Sequence, residues 1–188
     1  FQEAELFRHP QPLAEAGAVA DFSGDGFPDL LAARNSGDLL LYEGDAQGRF
    51  LSEPRITPRL REPLRGPSAL AVGDIDADGD LDAWLAQYKP PYLGGQMPTP
   101  FYDANDGWPS YLLRNRGDGR FEIATEAAGL AERNLRRTYA SAFVDLDDDA
   151  DLDLVVISDF SGVDLYANDG RGSFLDANAT LAADRHLF

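Results

Sequence analysis

The chain has 188 residues, 44% of them hydrophobic, and a net charge of −17. It is long enough to bury a sizeable core, while so acidic a surface without a basic patch excludes nucleic acid as a partner. The absence of cysteine removes disulfides, thiolate catalysis and cysteine-ligated zinc, and no apolar run approaches the roughly 20 residues that span a bilayer.

In chain order the pattern is β throughout. Short apolar runs predict strands over Ala18 to Ala20, Leu30 to Ala33 and Leu39 to Tyr42, then Ala69 to Val72, Ala83 to Ala86 and Tyr111 to Leu113, and finally Ala142 to Val144, Leu154 to Ile157 and Val163 to Tyr166. Gly, Asn and Asp turns separate them. Only Thr125 to Arg133, rich in Ala and Glu, is a candidate helix, and one short turn is the alternative.

Between the first and second strand of each group stands an acidic nonapeptide: DFSGDGFPD from Asp21 to Asp29, DIDADGDLD from Asp74 to Asp82, and DLDDDADLD from Asp145 to Asp153. They hold 14 of the 33 acidic residues, so the acidity is local. Side-chain oxygens recur at positions 1, 3, 5 and 9, with a turn residue expected at position 6. Hard cations such as Ca²⁺ are bound by such oxygen sets. The candidate ligands are Asp21, Ser23, Asp25 and Asp29, then Asp74, Asp76, Asp78 and Asp82, then Asp145, Asp147, Asp149 and Asp153. About three bound Ca²⁺ would bring the charge from −17 to about −11. An EF-hand would need a Glu at position 12 and flanking helices, but Ala32, Leu85 and Val156 stand there, each in a predicted strand.

A second landmark, a Gly-rich turn ending in Phe, closes at Phe50, Phe121 and Phe174. Phe50 and Phe174 each lie 29 residues after the first Asp of the preceding nonapeptide, Phe121 lies 47 after its own, and each Phe-to-Asp interval is 24. One 53-residue unit therefore recurs, with 18 extra residues in the middle copy. The expected organisation is a repeat over 1–49, a second over 50–120 with an insertion at about 88–110, a third over 121–173, and the start of a fourth over 174–188. Three or four strands per unit of this length predict an all-β fold made of β-propeller blades.

The triplicated nonapeptide, together with the N-x-G-D-G-x-F turn at Asn115 to Phe121, resembles FG-GAP repeats of integrin α-subunit propellers and bacterial VCBS proteins. The stretch YLLRNRGDGRFEIATEAAGL, Tyr111 to Leu130, is similar to the branch of cartilage acidic protein-like bacterial propellers. The resemblance implies Ca²⁺ in each loop, with a backbone carbonyl contributed at position 7 by Phe27, Asp80 and Asp151. Two departures bear on it. Ser23 replaces a carboxylate in the first loop, and Ala150 stands where Gly is expected in the third, at a cost of about 1 kcal/mol if the backbone there is left-handed. The second loop has neither departure and is expected to bind tightest.

The insertion, YKPPYLGGQMPTPFYDANDGWPS, joins a second strand to a third and should open on the face opposite the acidic loops. By the integrin resemblance that face takes a protein or glycan ligand, with Tyr92, Phe101, Tyr102 and Trp108 as candidate contacts beside Tyr88. The alternative is that these aromatics fold back as packing. Asp103 and Asp106 are a further candidate cation pair. Catalysis has little support: His9 and His186 lie near the ends, no nucleophile elbow or phosphate loop is present, and calcium explains every carboxylate cluster. A non-catalytic, secreted, extracellular or periplasmic module is expected, since millimolar calcium is found mainly outside cells. An accessory domain of a polysaccharide-processing enzyme and a structural spacer are the alternatives. Propellers close with four to eight blades, so the ring is expected to be completed by a longer chain or by further copies of this one. Any signal peptide is expected to lie outside a chain that begins at Phe1.

Overall fold

The computed structural model describes residues 14–179, apart from 36, 52 and 96. His9, His186 and the end of the expected fourth repeat lie outside the described residues. Among the described residues, twelve strands form three antiparallel sheets of four, each a meander in which sequence neighbours pair. The first sheet comprises β1 (Ala16–Ala20), β2 (Asp29–Ala33), β3 (Leu39–Tyr42) and β4 (Arg55–Ile56). The second comprises β5 (Pro67–Gly73), β6 (Asp82–Gln87), β7 (Tyr111–Asn115) and β8 (Phe121–Ile123). The third comprises β9 (Arg137–Val144), β10 (Asp153–Asp159), β11 (Gly162–Asn168) and β12 (Phe174–Asp176). First strands lie side by side, β1 against β5 and β5 against β9, as in propeller blades.

The continuous apolar runs have a simple cause. Side chains of a strand alternate between its two faces, and a sheet packed on both faces needs apolar residues at every position. In β6, Ala83 and Leu85 enter the core shared with the first sheet, beside Leu31, Leu39, Leu41 and Phe22. Trp84 and Ala86 enter the core shared with the third, beside Leu154, Val156 and Phe174. Leu113 and Leu112 of β7 divide in the same way. The outer faces of the end sheets carry smaller clusters, Ala32, Leu40 and Tyr42 on one and Leu165 and Ala177 on the other.

All nine expected strands are present. The three outermost strands, only two or three residues long, were not expected. Phe121 and Phe174 open β8 and β12, while Phe50 forms an isolated bridge with Gly44. A unit counted from Phe to Phe thus starts within the last strand of one sheet, so sequence repeat and sheet differ in phase. Residues 125–133 form turns rather than a helix. The Ala128 carbonyl that would continue a helix instead accepts the Phe174 N–H at 2.9 Å, and a Cβ on Gly129 would meet the Phe174 carbonyl at 2.6 Å.

Candidate metal centres

Each acidic nonapeptide links the first strand of its sheet to the second, so the three loops lie at one end of the sheets. The first Asp of each loop organises it. Asp21 accepts the N–H groups of Gly24, Asp25 and Gly26 at 2.8 to 3.1 Å. Asp145 accepts those of Asp148, Asp149 and Ala150, and Asp74 those of Asp78 and Gly79. The position-5 residues Asp25, Asp78 and Asp149 each accept the N–H two residues on, at 2.9 Å. Position 6 is left-handed throughout, with φ of 88° at Gly26, 93° at Gly79 and 76° at Ala150, so the penalty expected at Ala150 is real. Position 4 is left-handed too, at Gly24, Ala77 and Asp148. That was missed in the sequence, and it means the second loop also carries a strained non-glycine residue, Ala77.

Carboxylate oxygens of Asp74, Asp76 and Asp78 come within 4.8 Å of one another, as do those of Asp145, Asp147 and Asp149. In the first loop Asp21 and Asp25 accept the corresponding backbone N–H groups, and Ser23 stands at position 3. The site fits a hard cation on two further grounds. Ser23 Oγ and Asp76 Oδ1 are buried oxygens without a hydrogen-bond partner among the described residues, and buried polar atoms are seldom left so. Moreover, loss of hydration, with the charge of Asp78, pushes the Asp76 carboxyl above its usual range against the pull of Arg114. Asp147 and Asp151 are raised in the same way, by lost hydration and then by Asp149 and Asp153. Repulsion of this kind is what a divalent cation relieves.

Position 9 behaves differently. Asp29, Asp82 and Asp153 are almost fully buried, and their oxygens serve the backbone. Asp29 accepts the N–H of Phe22 at 3.0 Å, of Ser23 at 2.8 Å and of Gly44 at 2.8 Å. Asp82 accepts those of Ile75 and Asn115, and Asp153 those of Leu146 and Asn168. These carboxylates tie the loop to the end of the third strand, a role the spacing did not reveal. Burial pushes Asp82 up to about 7, against the N–H groups of Asn115 and Ile75. At position 7, Asp80 and Asp151 turn their side chains toward Gly117 and Gly170 of the neighbouring turn, and Phe27 is partly exposed.

The insertion joins β6 to β7 at the opposite end, as the topology requires. Its base is pinned to the third sheet. Arg137, fully buried, grips Asp106 with two bonds of 2.9 and 2.8 Å and donates to the carbonyls of Lys89 and Pro90 at 3.0 Å. Arg136 pairs with Asp103 at 2.6 Å. Asp103 and Asp106 are therefore not a cation pair: their partners are two arginines that carry no motif in the sequence. The aromatics divide. Tyr88 bonds Asp159 at 3.0 Å and meets Tyr139 edge-on, and Trp108 packs on Gly66. Tyr92, Phe101 and Tyr102 remain exposed, the last two edge-to-face at 5.7 Å.

Comparison with known proteins finds likenesses to parts of this arrangement. Residues 21–85 match the FG-GAP-like repeat. That stretch spans the first two loops, β2 to β5 and the first part of β6. Over 102 residues, 49% of the chain, the sequence is 32% identical to phosphatidylinositol-glycan-specific phospholipase D of Rattus norvegicus. The match covers 12% of that protein's length. Among solved structures, a Photorhabdus luminescens Tc holotoxin pore aligns with 85% of this chain and 7% of its own, at a TM-score of 0.42 and 18% identity. The V. cholerae biofilm matrix protein Bap1 aligns with 79% of this chain and 19% of its own, at 0.35 and 16%.

Proposed function

We propose that this chain is a calcium-binding segment of an extracellular β-propeller that presents the 88–110 insertion to a protein or glycan ligand and performs no catalysis. The observation that carries the calcium reading is the convergence of carboxylates 1, 3 and 5 in the second and third loops, already shaped by their own hydrogen bonds, with the buried oxygens of Ser23 and Asp76 lacking partners among the described residues. Asp21, Ser23 and Asp25, Asp74, Asp76 and Asp78, and Asp145, Asp147 and Asp149 would hold one ion each, with the carbonyls of Phe27, Asp80 and Asp151. Such an ion stabilises the turn between two strands and so the fold itself. Export follows from the calcium supply outside cells; among the described residues no helix is long and apolar enough to cross a membrane. The exposed Tyr92, Phe101 and Tyr102 support a ligand at the other end.

The test is thermal unfolding of metal-stripped protein with Ca²⁺ or Mg²⁺ added, read with metal stoichiometry and molar mass from light scattering. A Ca²⁺-selective rise in Tm with about three ions per chain is expected. An unchanged Tm and no bound metal would end the calcium reading. A mass of several chains would mean that copies complete the ring, whereas a monomer would leave that to a longer chain. The rat relative favours a second reading, in which the segment is a non-catalytic part of a longer enzyme.

A further inference from the structure

Asn115 and Asn168 end the third strands of the second and third sheets, outside the acidic nonapeptides, and both are buried. Their backbone N–H groups donate to Asp82 at 2.7 Å and to Asp153 at 2.8 Å. Their side-chain amides cross into the preceding sheet. Asn115 Nδ2 donates to the Phe22 carbonyl in the first loop at 2.9 Å and to the Leu81 carbonyl in its own loop at 3.2 Å. Asn168 Nδ2 repeats this with Ile75 in the second loop at 2.8 Å and Leu152 in its own at 3.1 Å. Phe22 and Ile75 occupy position 2 of their loops, and their N–H groups go to Asp29 and Asp82. A single series of hydrogen bonds therefore runs from Asp153 through Asn168 and Ile75 to Asp82, then through Asn115 and Phe22 to Asp29. It stops at the first sheet, where Gly44 holds the equivalent place and a Cβ would meet the Pro28 carbonyl at 2.0 Å.

We propose that Asn115 and Asn168 couple the three acidic loops, so that a cation ordering one loop favours binding in the loop of the adjoining sheet. The proposal rests on the calcium reading above. Neither asparagine is placed to touch an ion. Each acts as a positioning residue through the position-2 peptide of one loop and the position-9 carboxylate of the next, in a buried setting where linked hydrogen bonds reinforce one another. Coupling between sites is reciprocal, so it reads out as a change in affinity at both ends of a broken link.

The experiment is a Ca²⁺ titration of the whole chain by NMR, following the position-6 amides of Gly26, Gly79 and Ala150, one in each loop. Asp78→Ala, an exposed side chain, removes a ligand from the second loop alone. It should weaken binding in both the first and the third loop about fivefold, at the low end of allosteric couplings. In the Asn115→Ala background the same change should leave the first loop unaffected while still weakening the third; in Asn168→Ala the pattern should invert. If Asp78→Ala leaves the other two loops unchanged, or if either asparagine variant weakens all three loops alike, the coupling is overturned. The Asp78→Ala arm decides the matter even if an asparagine variant does not fold. If no amide of the unaltered protein responds to Ca²⁺, the calcium reading itself falls and takes this proposal with it.

Discussion

Arg137→Ala tests how the insertion is held. The guanidinium makes two bonds to Asp106 and one each to the carbonyls of Lys89 and Pro90, and its loss strands a carboxylate whose ionised form it sustains. Breaking a buried pair by removing one partner costs about 3–5 kcal/mol. Asp106 keeps a third of its side-chain surface in water, so the lower end, about 3 kcal/mol, applies once solvent screening is allowed for. In a domain of this size that corresponds to a fall in Tm of roughly 6–12 °C. Limited proteolysis should show new cleavage within 90–102, before general unfolding sets in. The pH dependence has a definite sign: Arg137 lowers the Asp106 pKa first by hydrogen bonding, so the stabilisation is full above the usual carboxylate pKa of 3.8 and is lost only below it. A variant with unchanged Tm and an unchanged digestion pattern would refute the view that Arg137 pins the loop.

Ala150→Gly should relieve the left-handed strain at φ 76°, raising stability by about 1 kcal/mol and Tm by roughly 2–4 °C; a lower Tm would refute the assignment. In metal-stripped protein, Asp82 holds its proton more tightly folded than unfolded, with a pKa of about 7 against 3.8. Stability from this group is therefore present at low pH and falls as pH rises toward 7, so melting at pH 5.5 should exceed that at pH 7 by up to about 2 kcal/mol, and Asp82→Asn should flatten the profile. Saturating Ca²⁺ should reverse the trend, since protons and the ion then compete for the loop. Tyr102→Ala, at 73% exposure, should change stability by less than about 0.5 kcal/mol yet abolish capture on a glycan or protein array; retained capture would move the ligand site elsewhere.

Strands, loops and the position of the insertion were legible because each has a local cause. Apolar runs such as Leu39 to Tyr42 reflect burial on both faces of a central strand, and the triplicated Asp pattern sets the turn between first and second strands. What depended on distant partners was not. Arg136 and Arg137 look like any basic pair before a strand until the fold brings Asp103 and Asp106 to them, about 30 residues away in sequence. The backbone role of Asp29, Asp82 and Asp153 was hidden because the same residue type suits a metal as well as a backbone N–H. Ala77 escaped notice because alanine at a left-handed position leaves no mark in composition. Asn115 was visible as part of a turn motif, but its bond to Phe22 joins residues 93 apart.

The antiparallel meander sets the acidic loops and the insertion a full strand length apart, about 20 Å for the six residues of β6. Between Pro90 and Tyr102 the chain carries no charged residue, while the grip on the third sheet lies just outside, at Lys89, Asp103, Asp106 and the two arginines. The segment is thus a cassette: its ends are clamped by charged side chains, while between them Tyr92, Phe101 and Tyr102 stand exposed.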